Sequence, residues 1–287
     1  MTQTATPLPC SEPATAPYAG VLAKLSPADR YHEPCAHVCI PRSMPDAVYA
    51  RLAATFPPLE RFQPGAASLD NRVLRIPAHQ VIAGPDFSAE WKAFMAYHTS
   101  QAFWQAFLQV FADDIRRLHP QLERRIGKPL EEWTAVRRSE GLKGDVYLDA
   151  LLVVNTPVKS LSNVKGPHID HRKKLWTGLL YMREDGDRTP GGNLELFRLP
   201  PGVRFDRHSV ARNEVEITCT VPYASNLFAG FVNCPQALHA PEPRPETPHV
   251  RRYVDFVIEL EKPVFETPQM NRLRRWFFRH FQREQTR

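Results

Sequence analysis

Residues 166–170 read Gly-Pro-His-Ile-Asp, and the spacing of His168 and Asp170 is the first sign of chemistry in the chain. On extended backbone, residues i and i+2 point to one face, so both side chains can address a single point while Ile169 turns away. An imidazole nitrogen and a carboxylate oxygen suit iron(II). A second histidine would complete a facial triad that leaves three coordination positions open. In a chain with eleven histidines a lone His-x-Asp is a weak signal, and its meaning depends on the residues downstream.

The downstream segments come in a definite order. Leu179-Leu180-Tyr181-Met182 is first, then a polar loop, then Gly191-Gly192-Asn193-Leu194-Glu195-Leu196-Phe197 at the distance of a hairpin. Next come Asn226 to His239, a loop holding Pro241, Pro243, Pro245 and Pro248, and the run Arg252 to Leu260. The order H-x-D, L-Y-x, G-G-x-L, F-x(n)-H and R-x-x-x-F resembles the iron(II)- and 2-oxoglutarate-dependent oxygenase superfamily, within it the prolyl-hydroxylase-like group. The resemblance spans about residues 165–260, a third of the chain.

The resemblance implies a double-stranded β-helix (jelly roll) with His168, Asp170 and His239 as iron ligands. It implies Arg252 as the partner of the distal carboxylate of 2-oxoglutarate and Tyr181 as a hydrogen-bonding residue for that cosubstrate. The implied reaction is oxidation of a small-molecule or peptide substrate, most often hydroxylation, as 2-oxoglutarate and O2 become succinate and CO2. Desaturation, cyclisation and epimerisation are departures within such folds. Asp170 speaks against a halogenase, whose family carries a small residue there. The interval from His239 to Arg252 is longer than the family's usual one, so Arg251 is the alternative if the register slips by one.

Arg252 can also be read from its own strand. One face carries Arg252, Val254, Phe256 and Ile258; the other carries Arg251, Tyr253, Asp255, Val257 and Glu259. The first is apolar apart from its arginine, so it is expected to face the core and carry Arg252 into the barrel interior. A buried guanidinium needs an anion, from the cosubstrate or from an internal Asp or Glu. Tyr181 shares a face with Thr177 and Leu179; a buried tyrosine that merely finds some acceptor is the plain alternative. His171, His208, His249 and His280 have no spacing that suggests a second metal, Cys234 reads as a small buried hydrophobe, and Asn193 and Glu195 stay undecided between pocket and solvent.

The elements that must position these groups change character near residue 140. A short strand is expected at His37–Ile40 and a helix over Met44–Phe56, ended by Pro57-Pro58. Ser88 and Ser100 can cap two helices, the second with Phe103, Phe107, Val110, Phe111, Ile115 and Leu118 on one face and Pro120 as its stop. From about residue 144 the period falls to two. Strands are expected at Asp145–Asn155, Trp176–Met182, Asn193–Leu199, Glu214–Val221, Ser225–Phe231 and Arg252–Leu260. Many short strands without intervening helices indicate a mostly β, α+β architecture with helices against a sheet. The expected division is a mobile leader over 1–20, a strand and helical brace over 21–140, a jelly-roll catalytic domain over 141–262 and a basic helix over 263–287. Tyr147, Asp149, Leu151 and Val153 are candidates for the substrate pocket.

Charge and composition narrow the class. The net charge of the 287 residues is +6, but residues 272–287 alone hold six arginines against Glu284, with Leu273, Trp276, Phe277, His280 and Phe281 at helical spacing. That favours a docked helix over nucleic-acid or membrane contact. Non-catalytic metal- or sugar-binding and nucleic-acid modification are the rival functions. Five cysteines without a C-x-x-C pair suggest neither a disulfide framework nor a zinc site. No basic residue precedes Lys24 and no apolar run reaches about 18 residues, so signal and membrane segments are not expected and a reducing cytoplasm is the compartment implied. Finally, His171-Arg172-Lys173-Lys174, with Lys165 ahead of the ligands, is expected to form a basic rim that attracts a carboxylate or phosphate on the substrate.

Overall fold

The computed structural model describes residues 20–200 and 209–265. In chain order the first elements are β1 (Arg30–Tyr31), β2 (His37–Ile40), α1 (Asp46–Ala54), α2 (Leu59–Phe62), β3 (Val73–Pro77), α3 (Ala78–Ala83), α4 (Ala89–His98), α5 (Gln101–Leu118), α6 (Leu122–Ile126) and β4 (Ala135–Arg137). Beyond these, apart from the 3-10 turn Arg212–Glu214, the described elements are strands: β5 (Val146–Asn155), β6 (Lys174–Tyr181), β7 (Leu194–Arg198), β8 (Glu216–Val221), β9 (Phe228–Val232), β10 (Leu238–Pro241) and β11 (Arg251–Glu259). The result is a sheet-rich α+β fold. The large sheet runs β1-β2-β9-β6-β11-β5-β3 with β4 added parallel to β5, and a second sheet runs β10-β7-β8.

The helical layer forms where the apolar spacing demands it. Ser88 accepts a hydrogen bond from Trp91 N and Ser100 from Phe103 N, so each serine satisfies a donor left free at a helix start. Phe103, Phe107 and Phe111 of α5 then close on Trp176 of β6, with ring centroids 6.5, 5.2 and 5.8 Å away. Gly178 and its cross-strand partner Gly230 leave room for that indole. A Cβ on either would come within 2.3 or 2.6 Å of the Trp176 ring. Phe228, Val254, Phe256 and Ile258 complete the same buried layer.

The opposite face of the large sheet meets the small one. Val153, Tyr181, Ala229, Phe231 and Tyr253 are buried there with Leu194, Leu196 and Val221. β11 is therefore buried on both faces, and its more apolar side packs on the helices. Arg252, expected in the barrel interior, lies on that helical side. Arg251, Tyr253 and Asp255 alternate with it, and Arg251 and Tyr253 line the interior cavity. The polar face is the inner one.

The six strands expected between 145 and 260 are present with ends shifted by up to three residues. The segment before residue 140 does more than brace them, since β1, β2, β3 and β4 all join the large sheet. β10, which carries His239, has four residues and exists through its pairing with β7. Residues 1–19 of the expected leader, and all but the first residues of the expected terminal helix, lie outside the described residues. No described helix is long and apolar enough to cross a membrane.

Phe107 has no exposed surface and touches Trp104, Phe111 and Trp176. Phe107→Ala is expected to cost about 3–5 kcal/mol in urea-unfolding measurements, whereas Gln109→Ala on the exposed face of α5 should stay within about 0.5 kcal/mol.

Candidate metal centre

His168 sits in the segment leading to β6, and His239 sits on β10. They exchange both backbone hydrogen bonds, His168 N to His239 O at 3.0 Å and His239 N to His168 O at 2.9 Å. This local antiparallel pair turns both imidazoles to one side, with ring centroids 4.3 Å apart. Asp170, two residues on, joins them: Oδ1 lies 3.9 Å from Nε2 of His168 and 4.0 Å from Nε2 of His239. The three ligand atoms lie within 4.8 Å of one another, and all three residues are buried. The expected triad is assembled.

Each ligand is oriented by a second contact. Nδ1 of His168 faces Gly166 O at 2.9 Å, and Nδ1 of His239 faces Ala237 O at 3.0 Å. A proton on each Nδ1 leaves both Nε2 lone pairs for a metal. Burial, then His239 and Lys165, push His168 down to about 3, and burial also lowers His239, so both rings are neutral. Burial alone would raise the Asp170 carboxyl, but Lys174, His239 and the Thr177 hydrogen bond hold it well below the usual range. Thr177 Oγ1 donates to Oδ2 at 2.6 Å and Lys174 Nζ at 3.3 Å, which leaves Oδ1 directed at the histidines. Two neutral imidazoles and one ionised carboxylate form the donor set that suits a divalent iron ion.

Lys174 was expected on an exposed rim, and the structure turns it inward. Opposite β11, Trp176 pairs with Ile258 and Lys174 with Glu259, so Leu175 is the extra residue of a bulge. The bulge brings Lys174 to the face of Thr177. Asn233 holds the preceding turn, donating to His171 O at 3.2 Å and Lys174 O at 3.0 Å.

The triad opens on a cavity of about 260 Å³ lined also by Arg251, Tyr253, Thr177, Leu179, Arg75 and Lys165. Arg251 is 4% exposed, and its guanidinium lies 5.1, 5.1 and 4.7 Å from the ring centroids of Tyr181, Tyr223 and Tyr253. Its Nε donates to Gly192 O at 2.8 Å. Gly191 and Gly192 both have positive φ, and a Cβ on Gly191 would strike Pro243 O at 2.1 Å, which is why this turn takes glycines. No carboxylate pairs with Arg251 among the described residues. The Tyr181 hydroxyl is likewise buried without a hydrogen-bond partner, and burial raises it so that it stays a protonated donor. Arg252 points the other way, with Nη1 3.0 Å from Glu184 Oε1 and its guanidinium over Phe56. The register read from the strand's apolar face is thus displaced by one residue, and the alternative, Arg251, lies on the cavity.

No protein family and no curated protein sequence matches the chain. The solved structures similar to it include prolyl hydroxylases. A prolyl-4-hydroxylase of Pseudomonas putida shares 12% identity at a TM-score of 0.38, covering 79% of this chain and 93% of that one. A Trichoplax adhaerens prolyl hydroxylase in complex with a hypoxia-inducible-factor peptide shares 11% at 0.40, covering 78% and 84%. A viral collagen prolyl hydroxylase of Paramecium bursaria Chlorella virus-1, in complex with 2-oxoglutarate, shares 9% at 0.40, covering 79% and 96%.

The remaining expectations divide. Tyr147, Asp149, Leu151 and Val153 of β5 are not among the lining residues, and β3 supplies Val73 and Arg75 instead. Asn193 is held by Glu242 and Tyr223 N, and Glu195 pairs with Arg212, so both are structural. Cys234 is buried in the core between the sheets. His208 and His280 lie outside the described residues. His168→Ala, Asp170→Ala and His239→Ala should each abolish saturable Fe(II) or Mn(II) binding in a metal titration, with the circular dichroism of the fold retained. Thr177→Val keeps all three ligands and removes the bond to Oδ2, so metal affinity should fall about 10–100-fold.

Proposed function

We propose that this chain is an iron(II)- and 2-oxoglutarate-dependent oxygenase built on a jelly-roll core, acting in the cytoplasm and most often hydroxylating its substrate. The observation that carries the reading is the pairing of two features in one cavity. One is a two-histidine, one-carboxylate site; the other is a buried guanidinium with no carboxylate partner among the described residues. A metal-binding site alone needs no such arginine. A keto acid with a second carboxylate does.

His168, Asp170 and His239 would hold the metal, and metal with keto acid and O2 supplies the oxidising chemistry, releasing succinate and CO2. The protein's own groups do the rest. Arg251 offers its fork to the distal carboxylate, and the Tyr181 hydroxyl can donate to the same group. The aromatic faces around Arg251 keep its guanidinium in place and exclude water from it. Thr177 and Lys174 hold Asp170 with one oxygen toward the metal position.

Succinate formation from 2-oxoglutarate tests the reading. Arg251→Leu should raise the 2-oxoglutarate concentration required by two to three orders of magnitude, matching about 3–5 kcal/mol for a lost buried charge pair. Arg251→Lys, which keeps the charge and loses the fork, should fall between. Arg252→Leu should remain close to wild type. If metal binds and no succinate ever forms across a substrate panel, a non-catalytic metal-binding role stands in its place.

A further inference from the structure

The cavity wall holds more positive charge than the metal centre and the keto acid account for. Four cations line it, Arg75, Lys165, Lys174 and Arg251, against one acid, Asp170. Lys174 is matched by Asp170 at 3.3 Å. In the oxygenase reading Arg251 is engaged by the distal carboxylate of the keto acid. Arg75 and Lys165 remain. Among the described residues neither side chain has a hydrogen-bond or ion-pair partner.

Their position separates them from the Arg251 site. Arg75 pairs with Val153, Val153 with Tyr253 and Tyr253 with Tyr181, so one row of inward-facing residues crosses β3, β5, β11 and β6. Arg75 ends that row on the edge strand. It lies two strands from β11, about 10 Å at the usual strand spacing, so it approaches the cavity from the other side of β5 to Arg251. Lys165 approaches from the loop just ahead of His168 and lines the same cavity as Arg75. Two like charges beside one opening form an anion site when a ligand brings the counter-charge.

We propose that Arg75 and Lys165 bind a carboxylate or phosphate group of the substrate that is oxidised, holding it at the mouth of the cavity beside the metal centre. This rests on the oxygenase reading and adds the chemical class of its substrate. It also relocates the basic rim expected from residues 171–174: Lys174 is engaged by Asp170, and the edge-strand arginine stands in its place.

The test uses the whole chain loaded with Mn(II) and saturating 2-oxoglutarate, without oxygen. Propionate and methyl phosphate serve as probes and propionamide as the uncharged control, followed by isothermal titration. Propionate or methyl phosphate should bind and propionamide should not, and whichever binds more tightly names the anion. Arg75→Gln and Lys165→Gln should each weaken that binding about tenfold, with affinity for 2-oxoglutarate unchanged. Equal binding of propionamide, or unaltered anion binding in the double variant, overturns the proposal. So does a loss of 2-oxoglutarate affinity in Arg75→Gln, which would assign Arg75 to the keto acid. If the protein takes up neither metal nor 2-oxoglutarate, the oxygenase reading fails by itself. The same titration on the metal-free chain then decides whether the pair binds anions.

Discussion

His168 and His239 are 71 residues apart in the chain, and two backbone hydrogen bonds at 3.0 and 2.9 Å hold them opposite each other. In an antiparallel pair of this kind the side chains of the two residues stand on one side of the ladder. The two imidazoles therefore converge by backbone geometry, before any metal is considered. Asp170 follows at i+2 and inherits the same side. Everything else around the centre supports this pair: Gly166 and Ala237 carbonyls orient the rings, and β10 is held in register by β7. A shift of one residue between the two segments would turn one histidine out of the centre.

The large sheet allows this by dividing its two faces between packing and chemistry. Its outer face carries Trp176, Phe228 and Phe256 against α4 and α5, where apolar burial supplies the stability. Its inner face can then tolerate Asp170's neighbours Thr177 and Lys174, and the Arg251 fork, because it is not the only source of cohesion. The aromatic rings of Tyr181, Tyr223 and Tyr253 line the transition between the two roles. They pack as core residues and also face a cation.

This division explains what is legible in the sequence. His168 and Asp170 are readable because two-residue spacing on extended chain is a local rule, and the capped helices because Ser88 and Ser100 precede clear apolar stripes. Arg251 is not readable from alternation. The more apolar face of β11 belongs to the helices, and the face between the two sheets, which lines the cavity, is the more polar one. Lys174 turns inward only because of a bulge whose partner, Glu259, is 85 residues away. Arg75 gains its place from β3 pairing with β5, a contact that five residues of modest hydrophobicity do not announce. The His239 strand is similarly short and is set by its partner.

The buried charges make the strongest internal comparison. Arg244, near the Gly191–Gly192 turn, meets the fully buried Asp187 at 3.1 Å, and Arg212 meets the buried Glu195. Lys174 meets Asp170, and the attraction of Asp170 and Asp255 outweighs the burial that would otherwise lower its ammonium pKa. The interior thus supplies a carboxylate wherever a cation is meant to be permanent, as the cost of an unpaired buried charge requires. Arg251 breaks that pattern with 4% exposure, three aromatic faces and one carbonyl, but no acid. A guanidinium held among aromatic rings and left without a carboxylate is free to take an anion that comes and goes, which is what the proposed cosubstrate role of Arg251 requires.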